Sequence, residues 1–88
     1  MQQHRRQRAA PRSAEALFGQ ALRDLRKETG MSQEALAFES GYHSTYISQL
    51  ERGKKSPSLR AIVRLAGALK TRGSEILKRV EAGNEHTP

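Results

Sequence analysis

The chain contains no cysteine, so neither a disulfide framework nor a thiolate metal site can hold its fold. Apolar packing is left to do so, in 88 residues that suffice for one small core and no more. No apolar run approaches the roughly 18 residues of a membrane-spanning helix, and the N-terminus lacks the apolar stretch of a secretory signal. The sequence therefore reads as soluble and intracellular. Histidine and aspartate are also sparse. The histidines are His4, His43 and His86, and no i, i+4 pair of metal ligands involves them. The single aspartate, Asp24, belongs to no serine, histidine and acid set on adjoining elements. Neither a GxxxxGKS/T loop nor a GxGxxG turn occurs, which removes sequence support for nucleotide binding. These absences argue for a binding protein with no cofactor and against an enzyme.

Positive charge is what the chain has in excess. Sixteen Lys plus Arg stand against nine Asp plus Glu, a formal net charge of +7. The sequence pI of about 10.6 points to a polyanionic partner, either nucleic acid or an anionic membrane. The basic residues are spread along the chain instead of lining one helix with bulky apolar anchors, which speaks against a membrane surface.

Residues 1–13 open with MQQHRRQRAAPR, four arginines and no acid, and read as a disordered basic arm or simply a solvated tail. A folded domain is expected over residues 14–82, followed by a short polar tail at 83–88. Its first helix, about 14–29, has Ser13 as cap, Glu15 in the first turn and Phe18, Leu22 and Leu25 at i, i+4, i+7. Gly30 ends it and Ser32 caps a second helix, SQEALAFES, with Leu36 and Ala37 inward and Gly41 as its stop. A third helix runs from Ser44 to about Arg52, with Ser44 and Thr45 as its cap region, Ile47 and Leu50 inward, and Gly53 closing it. Beyond a polar connector, Ser58 caps a fourth helix with Leu59, Ile62, Leu65, Ala66 and Leu69 on one stripe. A fifth, about 74–82, presents Ile76, Leu77 and Val80. The class is all-α, a compact five-helix domain.

If the third helix buries Ile47 and Leu50, its other face shows Ser44, Thr45, Ser48, Gln49 and Arg52, all hydrogen-bonding and none acidic. Such a face suits the major groove, where base edges offer donors, acceptors and the thymine methyl. It also fits an ordinary polar outer surface. Around it stand groups suited to phosphate: Gln33, His43, Tyr46, Arg52, Lys54 and Lys55.

The stretch LRKETGMSQEALAFESGYHSTYISQLERGKKSPSL resembles the Cro/repressor-type, XRE-type helix-turn-helix family of bacterial and phage regulators over roughly residues 17–80. SQEALA, Gly41 and YISQLERGKKSPSL carry the likeness at the family's spacing. The resemblance implies a lambda-repressor-like fold in which Ser44, Thr45 and Gln49 hold base-contact positions. It places Gln33 and Tyr46 at positions that touch the DNA backbone or brace neighbours, and Arg26 with Glu51 as a buried structural ion pair. The implied function is a sequence-specific regulator binding double-stranded DNA as a homodimer in the cytoplasm, at the nucleoid. It would control a restriction-modification operon, repress a phage or mobile element, or act as an autoregulatory antitoxin. The alternative is a protein-interaction module, an antitoxin or coactivator, whose partner is a toxin or transcription factor; polymerase is a further candidate partner. Ile76, Leu77 and Val80 are the expected dimer contact, or else only seal the core. Three departures from the family are Phe38, expected to pack across the second helix or to bind protein, Lys70 in place of a frequent glycine, and Gly73 in place of a proline. Gly19, inside the first helix, is expected to mark a close helix contact.

Overall fold

The computed structural model describes residues 12–85, which form five α-helices and no strand. They are α1 (Ala14–Glu28), α2 (Gln33–Ser40), α3 (Ser44–Glu51), α4 (Leu59–Ala68) and α5 (Gly73–Glu85). All of the expected arm except Arg12 and Ser13, together with His4 and His86, lies outside the described residues.

Local chemistry sets most helix ends. The hydroxyl oxygens of Ser13, Ser32 and Ser58 each accept from the backbone N–H three residues on, at 3.0 Å, and so open α1, α2 and α4. A cap of this kind contributes about 1 kcal/mol. The third helix starts at Ser44 as expected, but its N-cap is His43, whose side chain makes no capping bond, and not Ser44. The left-handed Gly41, at φ 80°, is followed by only two residues before α3, so the chain enters the helix one position earlier than a serine cap requires.

The core gathers around α1, which packs on α3 and α5, while α2 packs on α3 and α4. Its largest fully buried side chains are Leu22, Leu36, Ile47, Leu50, Leu65 and Ile76. Each such side chain contributes about 1.5–3 kcal/mol. Gly19 lies where α1 crosses the end of α3: a Cβ there would fall 2.6 Å from the Glu51 carbonyl oxygen and closer still to that of Leu50. The expected close contact is present, and it is with backbone.

Several expectations fail in instructive ways. Leu59, assigned to the inward stripe of α4, is 76% exposed, and Ala61 fills the inward position. Periodicity gives a side chain's direction and not the presence of a neighbour; Leu59 borders an open groove between α4 and α5. Phe38 does not pack across α2 but is 84% exposed. The last helix runs to Glu85, past the expected boundary at 82, because Gly83 lets it continue closely along α1: a Cβ there would lie 2.9 Å from Leu17 Cδ2. Lys70 takes the left-handed conformation, φ 58°, that the frequent glycine would have supplied.

Candidate nucleic-acid interface

A sharp junction joins α2 to α3. The N–H groups of Gly41 and Tyr42 both donate to the Ala37 carbonyl, at 2.9 and 3.0 Å, which closes α2 and reverses the chain. With Ile47 and Leu50 fully buried, α3 turns Thr45 and Arg52 to solvent and leaves Ser44, Ser48 and Gln49 half-buried beside them. Arg52 Nε donates to Ser48 Oγ at 3.3 Å, so these two side chains are tied to one another. His43 is exposed at the start of the helix, and Lys54 and Lys55 are exposed just past its end. The first N–H groups of α3 lack a side-chain cap and so remain donors suited to an anion.

Behind this face, α3 is held by a polar network. Arg26 Nε donates to Glu51 Oε2 at 2.6 Å and Nη2 to Oε1 at 3.0 Å, while Nη1 donates to the Met31 carbonyl at 2.8 Å. Gln33 Nε2 adds a bond to Glu51 Oε1 at 2.9 Å. One carboxylate thus links α1, α2 and α3. The hydrogen bond donated to Glu51 holds the Arg26 guanidinium above its ordinary pKa, against the opposing effect of burial. Gln33 therefore braces, with an amide donor committed to Glu51. Tyr46 is half-buried and its ring meets that of Tyr42, centroid to centroid 5.0 Å with a 47° tilt. Burial, with Tyr42 adding to it, pushes the Tyr46 phenol up.

Of the expected dimer contacts, Ile76 is fully buried within the monomer and Val80 is half-buried against the core. Leu77 is 41% exposed and lines the α4–α5 groove with Leu59, which the sequence reading had turned inward, and with Val63, which it had assigned to no contact. It also missed Arg64 of α4, whose guanidinium carbon stands 5.0 Å from the Tyr42 ring centroid. Nothing in helical periodicity distinguishes that arginine from the exposed Arg60. Among the described residues no cluster of three or more His, Asp or Glu offers a metal site, and no helix is long and apolar enough to cross a membrane.

Five helices, the second and third joined by a tight turn with an acid-free polar face on the third, define a helix-turn-helix domain. The helix-turn-helix family model matches residues 22–76, and the chain belongs to that family, a class of DNA-binding transcriptional regulators. Its relatives narrow the class. The control protein C.BamHI of Bacillus amyloliquefaciens is 44% identical over 69 residues, which cover 77% of this chain and 85% of the relative. The control protein C.SmaI of Serratia marcescens is 36% identical over 69 residues, covering 78% and 82%. The crystal structure of the restriction-modification controller protein C.AhdI from Aeromonas hydrophila superposes with a TM-score of 0.69 at 45% identity, covering 70% of this chain and 94% of that one.

Proposed function

We propose that the protein controls transcription of a restriction-modification operon, binding an operator as a homodimer with α3 of each copy in the major groove. The observation that carries this reading is the 44% identity to a control protein across most of both chains. The acid-free outer face of α3 supports it. Ser44, Thr45 and Gln49 are assigned to base edges, where Gln pairs with adenine and Thr meets the thymine methyl or hydrogen-bonds. His43, Tyr46, Ser48, Arg52, Lys54 and Lys55 are assigned to sugar-phosphate or to bracing, and the basic arm to phosphates or a minor groove alongside. Binding without catalysis, in the cytoplasm, completes the assignment.

One reading helix covers too few base pairs for specificity in a genome, so two copies on half-sites about 34 Å apart are required. Since Ile76 is committed to the core, the second copy is assigned to the exposed apolar surface of α4 and α5: Leu59, Val63 and Leu77. The exposed Phe38 favours one further role, contact with a protein such as polymerase or a toxin.

Selection from a random DNA pool tests the reading. A two-fold symmetric site is expected, and a Val63→Glu variant should sediment as a monomer that binds this site weakly. Recovery of no common sequence would sink the regulator reading, and a Val63→Glu dimer would sink the proposed surface.

A further inference from the structure

The two ends of α3 are secured differently. Its C-terminal end carries Glu51, fixed by Arg26 and Gln33. Its N-terminal end has no serine cap, in contrast to α1, α2 and α4. Yet Ser44 and Thr45, the leading residues of the reading face, stand in that uncapped turn.

What lies against this end comes from outside the helix-turn-helix pair. Arg64 projects from α4 onto the junction, and its guanidinium sits 5.0 Å from the centroid of Tyr42. The space it occupies exists because position 41 is glycine: a Cβ there would fall 2.5 Å from Arg64 Nη2. Tyr42 in turn meets Tyr46 on the first turns of α3, and both rings pack against the core. The sequence of contacts is Arg64, Tyr42, Tyr46. Among the described residues Arg64 forms no ion pair with a carboxylate: Glu39 lines the same shallow groove but does not pair with it, and the guanidinium lies over the ring instead.

We propose that Arg64 is a positioning residue for DNA reading, its guanidinium clamping Gly41 and Tyr42 so that the Tyr42–Tyr46 pair holds the N-terminal turn of α3 in place. The proposal rests on α3 being the reading helix. It makes α4 a second support for that helix, complementary to the Arg26–Glu51–Gln33 network at the other end. A planar, weakly hydrated guanidinium stacks on a ring as an ammonium does not, so lysine does not substitute. An exposed contact of this type amounts to about a threefold effect, and two reading helices on one operator compound it to about tenfold.

The chain has no tryptophan and two tyrosines, Tyr42 and Tyr46, so its near-ultraviolet tyrosine dichroism reports on this pair. Full-length Arg64→Ala and Arg64→Lys are compared with the parent, first without DNA. Both should lose tyrosine dichroism while far-ultraviolet helix signal persists. On the operator selected by the parent protein, both should bind about tenfold more weakly, with non-operator binding by Arg64→Lys unchanged within about twofold. The opposite pattern overturns the proposal: intact tyrosine dichroism in Arg64→Ala, with lysine restoring affinity and alanine lowering the salt slope by about 0.9 per contact, marks a plain phosphate contact. If the parent selects no operator, the regulator reading fails, and the dichroism alone still decides whether Arg64 orders the tyrosines.

Discussion

Among the described residues arginine clasps glutamate twice, each time through two hydrogen bonds. Beneath α3, Arg26 meets Glu51 at 2.6 and 3.0 Å with both side chains nearly out of solvent. Between α5 and the end of α1, Arg79 meets Glu28 at 3.0 and 3.1 Å with both side chains substantially exposed. Helical glycines show the same contrast. Gly19 is pressed against the backbone of α3, whereas a Cβ on Gly67 of α4 would meet nothing within 4 Å. Residue type and geometry match within each pair of features; solvent and neighbours do not. The backing of α3 is therefore intolerant of change, which suits the base-reading role proposed for that helix. The α4–α5 surface, with Leu59, Val63 and Leu77 uncovered, accommodates change and is open to a second chain.

The largest expected effect is at the buried pair. Glu51→Ala strands the Arg26 guanidinium and deprives Gln33 of its acceptor, a loss of about 3–5 kcal/mol. In a domain of this size the melting temperature should fall by more than about 10 °C. A variant that melts with the parent would erase the distinction between the two pairs.

The glycines provide a smaller test, sharper because it turns on sign. Helix propensity alone makes Gly→Ala favourable by about 1 kcal/mol at either position. At Gly67 that gain should appear in thermal unfolding of the monomer. At Gly19 the added methyl meets backbone carbonyls that cannot rotate away, and overpacking of about 1–3 kcal/mol should outweigh it. Stabilisation at both positions would mean that α1 and α3 yield to one another more readily than their contact implies.

Smallest is the surface pair, and it is legible through pH. The hydrogen bond from Arg79 lowers the Glu28 pKa below its ordinary value. Because the folded value is the lower one, the pair's contribution is present above the unfolded carboxylate pKa and is lost as pH falls through the folded one. Arg79→Ala should therefore lower neutral-pH stability slightly, leave stability at pH below the folded Glu28 pKa unchanged, and so flatten the acid unfolding limb by that same small amount, followed by dichroism. An acid limb that does not move would show the contact to be energetically silent, as many surface pairs are.

Much of this was readable in advance, for a local reason. A serine hydroxyl that accepts from an N–H three residues on involves one turn of chain, and so Ser13, Ser32 and Ser58 declared their helices. The left-handed glycines at 30, 41 and 53 likewise answer to their own backbone. The inward positions of α1 and α3 followed from periodicity because both helices have neighbours along their length. The same rule misassigned Leu59, whose turn of α4 borders an open groove, and said nothing of Phe38, which has no cover. Ser44 was taken for a cap because its type suits one, although the junction leaves that place to His43. In the candidate site, the polar face of α3 was legible as a set. Ile76 was left between a contact between chains and a seal of the core, and its burial decides for the core, while Arg64 gave no signal at all.

The sequence by itself determined that five helices form, where the serine caps of α1, α2 and α4 and the glycine turns fall, and which side of α3 carries hydrogen-bonding groups without an acid. These depend on interactions within four or five residues, where spacing along the chain is distance in space. Only the tertiary structure decided which apolar residues find a neighbour, that Gln33 bonds to Glu51 across 18 positions, and that an arginine from α4 lies on the junction ahead of α3. Each of those depends on how helices distant in sequence lie against one another, and neither cap nor period encodes that arrangement.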